Sequence, residues 1–389
     1  MHPASLPPAL QGMKVLDFSM GVAGPHAGLL CARHGADVVK IEPPRGDWSR
    51  ELGRQYGDMS AFAAVYNRGK RSVAIDMKDP QGLAAVREMA LQADVLIEAF
   101  RPGVMARFGL DYGTLARQNP RLVYLSVNGF GQTGPLVDAP ATDVILQAFS
   151  GLMYSNRDER DMPQRIDYVV IDVLTGLYGF QAVLAALLQR ARHGGTGRHV
   201  ECSMLKAAVA FQAGKIVEDK LEDGDRPLYV PLGVFATADG RISLSVRRDD
   251  HFVALCNALG RADLVSDGRY ATGAMRVARA DELLPILRAE FEKLRTDRLS
   301  EMLTAAGILH SRVNSYADLL AHEQVEAAQA VHWAHQDGIG RPLPIADIPG
   351  TPDSAPGTQA PHIGQHTLEV LHDWGISQKV TGQTKGEQT

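Results

Sequence analysis

From residue 12 to about residue 130 the chain repeats one pattern, a short run of Val, Ile and Leu followed by a stretch with helical spacing. The runs fall at 14–18, 37–41, 72–75, 94–100 and 122–127. Several of them, VLIEAF above all, are apolar without interruption, whereas a strand with one wet face alternates. Strands buried on both faces and separated by helices predict a parallel sheet covered on each side, a doubly wound α/β layer.

Beyond that layer the pattern changes. Residues 143–192 read as helical, with Leu and Ala recurring at three- and four-residue spacing over 173–190, and HGGTGR at 193–198 stops the helix. A strand at 199–202 and a helix at 203–221 lead into EDGDRP, which reads as a linker. VFATADGRISLSV then places two apolar runs across a DG turn, a hairpin signal, and helical patterns follow at 251–260, 281–292, 297–306 and 315–328. A chain of 389 residues is long enough for two or three cores. The expected domains are a large α/β domain over 10–225 and a smaller α+β domain over 226–330. The tail after Gly338 is rich in Pro and Gly, holds one helix near 366–374, and ends in TGQTKGEQT, which reads as disordered.

With 40 basic against 45 acidic residues, the net charge of −5 gives no support to a nucleic-acid partner or an anionic membrane surface. No apolar run approaches 18 residues, and the amino terminus lacks both a basic and an apolar targeting region, so the chain is expected to be untargeted and cytoplasmic. Cys31, Cys202 and Cys256 lie far apart in no metal or redox spacing, which predicts reduced structural thiols.

Isolated motifs carry little chemistry. Ser203 and Lys206 form an S-x-x-K without its companion motifs, so Ser203 reads as a helix cap. His332 with His335, and His362 with His366, have spacings that suit a metal, but no third ligand is positioned. VLDFSMGVAGPHAGLL lacks the G-x-G-x-x-G of a dinucleotide turn, although Glu42 closes the second strand at a suitable distance. Asp172, after YVVI and before an apolar helix, reads on its own as an N-cap.

Five ordered blocks carry more. GMKVLDFSMGVAGPHAGLLCARHGADVVKIEPPRGD, NRGKRSVAIDMKDPQG, ADVLIEAFRPGVMARFGL, NPRLVYLSVNGFGQTGP and IDYVVIDVLTGLYG, together with the tail PHIGQHTLEVLHDWG, resemble the class III coenzyme A transferases, the CaiB/BaiF or formyl-CoA transferase family. The resemblance implies a large Rossmann-like domain to which residues 331–380 return, a smaller domain between, and an intertwined homodimer. It implies acyl-CoA and a small carboxylic acid as substrates, succinyl-CoA being the first candidate donor, and no tightly bound cofactor or metal. Asp172 stands at the family's nucleophile. The segments matching the family's CoA contacts are Val22 and Ala23 after the first strand, Ile75 to Lys78, Ala99, Phe100 and Arg101, and Arg107. Lys40, Lys70 and Arg71 are further candidates by charge alone. Ala99 replaces a common asparagine, and no tetraglycine loop is visible in RPLYVPLGVF. Asp143 falls where some relatives carry a carboxylate near the reaction centre. Two alternatives remain: a 2-methylacyl-CoA racemase, disfavoured because Ala141-Thr142-Asp143 stands in place of its G-H-D, and a non-catalytic acyl-CoA binding protein.

Overall fold

The computed structural model describes residues 7–158, 160–222, 227–351 and 358–376; the TGQTKGEQT tail lies outside these. The chain divides into two units, residues 217–328 forming one and the flanking stretches together forming the other. The first crossing falls at Ile216/Val217, earlier than the linker read from EDGDRP, because the helix Ala213–Glu222 runs straight through it. The second follows Ala328, where Gln329 adopts a left-handed φ of 50°.

The larger unit is built on six parallel strands, β1 (Lys14–Asp17), β2 (Asp37–Glu42), β3 (Arg71–Ala74), β4 (Val95–Glu98), β5 (Val123–Asn128) and β6 (His199–Ser203), each within two residues of the expected run. Their spatial order is β3-β2-β1-β4-β5-β6, the doubly wound dinucleotide-fold order. Connecting helices are α1 (Ala23–Arg33), α2 (Ala61–Tyr66), α3 (Pro80–Gln92), α4 (Val104–Arg107), α5 (Tyr112–Leu115), α6 (Asp143–Phe149), α7 (Leu152–Ser155) and α8 (Val170–Arg192), with α9 (Met204–Phe211) following β6.

Alternate strand residues supply two cores, as the two-residue side-chain period requires. Leu16, Val39, Val73 and Leu96 point to one face, where α3 contributes Ala85, Val86 and Met89. Val15, Val38, Val95 and Ile97 point to the other, against α1 and α8. By length and composition α8 is apolar enough to cross a membrane, but here it is a core helix that buries Ile171, Phe180, Val183 and Leu187. Its Gly176 is set by close approach: a Cβ there would lie 2.6 Å from the Ala23 carbonyl and 2.7 Å from His26 Cβ on α1.

The carboxy-terminal stretch adds two pieces to this unit. A hairpin pairs Val331–Gln336 with Ile339–Ala346 across Asp337-Gly338. Sequence reading missed it, because Pro342 and Pro344 argue against a strand, yet both are tolerated in a two-stranded ribbon with a free edge. The helix Thr367–Asp373 and the turn after it then place Val370, Leu371, Trp374 and Ile376 in the first core.

The smaller unit holds an antiparallel three-stranded sheet in which Arg241–Ser245 is central, flanked by Leu232–Ala236 and Leu309–Arg312. Helices Asp249–Ala258, Ala280–Phe291 and Thr296–Ala305 bury Leu255, Leu287 and Leu303 against it. The single helix expected over 315–328 is instead two, Tyr316–Leu320 and Glu323–Ala327. Ser315 and Asp318 form a capping box for the first, and the His322 imidazole caps the second by accepting from the Gln324 amide.

Candidate active site

In the order β3-β2-β1-β4 the chain reverses direction of growth between β1 and β4, and the carboxyl ends of those strands open onto a crevice where such sheets bind ligands. The loop after β1 carries Val22, the N-cap position of α1, and Ala23, its first residue, and Val22 makes no side-chain cap to the first α1 amides. The loop after β4 carries Ala99, Phe100 and Arg101. The two loops are neighbours: a Cβ on Gly24 would stand 3.4 Å from the Ala99 Cβ.

Within these loops the candidate contacts differ. Ile75 is buried in the first core and Phe100 packs against it, so the side chains of both serve the fold and only backbone is left for a ligand. Lys78 is exposed, its amide held by Asp76 Oδ1 at 2.9 Å. The Phe100 amide donates to Glu98 Oε2 at 2.8 Å; burial pushes the Glu98 carboxyl up to about 7. Arg101 and Arg107 flank the short α4 with both guanidinium groups exposed.

The cations chosen by charge alone are structural. Lys40 is fully buried and pairs with Asp47 at 2.6 Å. Lys70 is equally buried, with Asp17 Oδ2 at 2.7 Å, the Pro25 carbonyl at 2.8 Å and Asn67 Oδ1 at 3.2 Å as acceptors. Arg71 binds Asp37, Glu369 and Asp373 and so ties the tail helix to the sheet. Glu42 accepts from Arg50 and Ser72. All four meet protein partners that a free ligand would have to displace.

The histidine pairs are likewise spoken for. His362 Nδ1 lies 2.6 Å from Asp58, and His366 Nδ1 accepts from the Ser72 amide at 3.2 Å. His332 and His335 stand on a strand instead of a helix. Among the described residues no group of three or more potential ligands gathers. Ser203 caps α9 by accepting from the Lys206 amide at 3.2 Å.

Asp172 is not the N-cap that its sequence position suggests. Val169 is, with no side-chain cap, and Asp172 is the third residue of α8. The cap comes from α6: Asp143 Oδ2 accepts from the Ile171 amide at 2.7 Å and the Asp172 amide at 3.0 Å. Among the described residues the Asp172 carboxylate has no hydrogen-bond partner. It is half-buried, and burial, reinforced by the negative charge of Asp143, pushes its pKa up to about 7.

The surroundings join this turn to the crevice. Val22 packs with Tyr66 and with Val169 and Val173, which flank Asp172. His26 Nδ1 contacts the Val173 carbonyl at 3.0 Å, and the Tyr66 and Tyr168 hydroxyls meet at 2.7 Å. Asp172, Val22, Ala23 and the Ala99 loop therefore share one end of the sheet, whereas among the described residues no hydrogen bond or ion pair links Lys78 or Arg107 to Asp172. His26, Tyr66 and Gln147 were not singled out from the sequence; the i, i+4 pairing of Asp143 with Gln147 on α6 was the available signal.

The profile of CoA-transferase family III matches residues 10–367. The chain belongs to CoA-transferase family III. It is 34% identical to the succinate–glutarate CoA-transferase of Agrobacterium fabrum, over 94% of this chain and 95% of that one. It is 31% identical to the succinyl-CoA–D-citramalate CoA-transferase of Chloroflexus aurantiacus, over 94% of each chain. A CaiB/BaiF family protein from Brucella suis has the same fold, with a TM-score of 0.84 at 28% identity, covering 95% of this chain and all of that one. The protein is thus an enzyme, a class III CoA-transferase whose substrates are CoA thioesters.

Proposed function

We propose that this CoA-transferase uses Asp172 as a covalent carrier and moves CoA from succinyl-CoA to a second dicarboxylic acid. The observation that carries the reading is the half-buried Asp172 carboxylate, without a partner of its own, in the first turn of α8 beside the β1–β4 crevice. A nucleophile needs a free electron pair, and burial strips the water that would otherwise blunt it or hydrolyse its products.

The transfer runs in four exchanges. An Asp172 oxygen attacks the thioester carbonyl and expels the CoA thiolate, leaving a mixed anhydride. The thiolate attacks the aspartyl carbonyl, which forms an enzyme–CoA thioester and releases the donor acid as its carboxylate. The acceptor carboxylate attacks that thioester and expels the thiolate again, giving a second anhydride. Attack of the thiolate on the acceptor acyl carbonyl yields the new acyl-CoA and regenerates Asp172. No proton is consumed, and the thioester's free energy is kept throughout.

For CoA itself we assign the backbone of Val22, Ala23, Ile75 to Lys78 and Ala99 to Phe100, with Arg101 and Arg107 supplying the paired donors a phosphate needs. Succinyl-CoA as donor follows the name of the Chloroflexus relative, and a dicarboxylic partner follows both names, whose acids succinate, glutarate and citramalate are all dicarboxylic. An intertwined homodimer is supported by the exposed apolar side chains Ile145, Phe149, Tyr154, Leu177 and Phe211. The unpaired cysteines suit a reducing, cytoplasmic compartment.

Incubation with succinyl-CoA and no acceptor tests the carrier. The enzyme–CoA thioester should accumulate, hydroxylamine should convert it to a hydroxamate at Asp172, and two-substrate rates should be ping-pong. A racemase would instead exchange the 2-hydrogen of a branched acyl-CoA with solvent and form no adduct. A panel of acyl-CoAs and free acids identifies the pair of substrates.

A further inference from the structure

Helix α8 begins without a cap of its own. The chain arrives through Tyr168, Val169, Val170 and Ile171, none of which has a carboxylate, amide or aliphatic hydroxyl to accept from the first amides of the helix. Two of those amides find backbone partners, Val170 on the Tyr168 carbonyl at 2.9 Å and Val173 on the Val169 carbonyl at 3.0 Å. The amides of Ile171 and Asp172 do not, and a single oxygen of Asp143, 28 and 29 residues upstream, takes both.

We propose that Asp143 is a positioning residue for the reaction: its carboxylate anchors the first turn of α8 and thereby leaves the Asp172 carboxylate free of that helix's own amides. This rests on the reading of Asp172 as the nucleophile. An acidic side chain in the first turn of a helix ordinarily folds back on exposed amides or simply neutralises the helix dipole. A carboxylate tied up in that way is a poor nucleophile. Asp143 takes the Ile171 and Asp172 amides, and the Val170 and Val173 amides have backbone acceptors, so none of these four is left for the Asp172 carboxylate.

Asp143 is itself held. It is the first residue of α6 and is buried, and its second oxygen accepts from Gln147 Nε2 at 2.6 Å. Gln147 is 1% exposed and grips the approach to α8 from both sides of the peptide chain, accepting from the Ile166 amide at 2.9 Å and donating to the Tyr168 carbonyl at 3.1 Å. One helix therefore fixes both the turn that bears the nucleophile and the irregular segment leading into it.

The charge of Asp143 has a second effect, which separates it from an ordinary cap. A neutral amide could still take the two helix amides through its one oxygen, though not the Gln147 donor as well, whereas a carboxylate also raises the pKa of Asp172, after burial the next cause of its shift to about 7. Among the described residues, other titratable groups bonded around this turn are His26 on α1, Tyr66 on α2, Tyr168 before the helix and Cys202 in β6. His26, the two tyrosines and Cys202 are engaged with the Val173 carbonyl, with each other and with the Thr175 carbonyl.

The test compares Asp143→Ala, which removes cap and charge, with Asp143→Asn, which keeps an acceptor and removes the charge. Rates with succinyl-CoA and acceptor are measured across pH 5–9 on protein whose folding is checked by melting and whose CoA binding is checked by calorimetry. Asp143→Ala is expected to lose roughly a hundredfold in kcat, the order that loss of near-attack alignment costs, with the KM for acyl-CoA within about twofold. Asp143→Asn is expected to lose less and to move the acidic limb of the rate profile to lower pH, because a like charge has been taken from beside Asp172. A folded Asp143→Ala within about twofold of wild-type kcat overturns the proposal. If that variant does not fold, wild-type kcat and an unmoved acidic limb in Asp143→Asn overturn it instead. Continued transfer by Asp172→Asn would sink the nucleophile reading, while a dead Asp172→Asn beside a fully active Asp143→Ala sinks only the role of Asp143.

Discussion

Two aspartates stand at the same end of the sheet and are treated in opposite ways. Asp17, the last residue of β1, is fully buried and meets Lys70 at 2.7 Å, the Ser19 amide at 3.0 Å and the Ser19 hydroxyl. Gly28 keeps the room: a Cβ there would come within 2.6 Å of Asp17 Oδ2 and 3.0 Å of Lys70 Nζ. Burial alone would raise the Asp17 pKa, but Lys70, Lys40 and the hydrogen bonds outweigh it and hold the carboxyl below its ordinary range. Asp172 gets burial and a like charge, and its pKa goes the other way. Asp17 is neutralised by the cations around it, whereas Asp172 among the described residues has no cation beside it, the kind of perturbed carboxylate expected of a reactive group.

The sharpest way to break this contrast is to remove each carboxylate or its partner in turn. Asp172→Asn should abolish CoA transfer, a loss of more than about a thousandfold in the coupled assay, since the isosteric amide is no nucleophile. The same variant should melt a few degrees higher than wild type at pH 8. Asp172 binds its proton more tightly in the folded chain than in the unfolded one, so the stability it lends is greatest below its unfolded value of 3.8 and is lost as pH rises to about 7. An Asp172→Asn protein that is less stable than wild type at pH 8 would contradict that sign.

Lys70→Met is the converse. Leaving Asp17 buried without its cation should cost about 3–5 kcal/mol in urea unfolding of the larger unit, while kcat per folded molecule stays near wild type. Asp17, with its lowered pKa, contributes stability that is constant above pH 4 and is lost only as pH falls below that. A melting profile for wild type from pH 4 to 8 should therefore follow Asp172 together with Glu98, both raised to about 7, and not Asp17, and Asp172→Asn should remove the Asp172 share.

At the crevice, Arg107→Ala should weaken acyl-CoA binding by about 1.5–3 kcal/mol if one charge-assisted phosphate bond is lost. Isothermal titration with CoA measures it, and unchanged affinity removes Arg107 from the site. The smallest effect is expected at Ser203→Ala, where loss of the α9 cap should cost about 1 kcal/mol and leave transfer untouched.

The six strands were legible because a strand covered on both faces announces itself within five residues, as VLIEAF does. The position of Asp172 at the start of a long apolar helix was legible for the same local reason. Its cap was not, because the bonds from Asp143 cross 29 residues and no periodicity encodes them. Lys40 and Lys70 were misjudged because a lysine in sequence carries no mark of whether it will be solvated or sealed beside a carboxylate. The 331–346 hairpin was hidden by its prolines, although its Asp337-Gly338 turn was in plain view.

The return of the tail sets an order of assembly on the ribosome. All six strands of the sheet have been made once residue 203 has emerged, and α3 can already cover most of one face, yet the part that Val370, Leu371 and Trp374 fill stays open until they arrive. In between, residues 217–328 are synthesised whole and hold a separate core of their own. The unit begun first is completed last, so one corner of its apolar core stays uncovered through the making of more than 150 further residues.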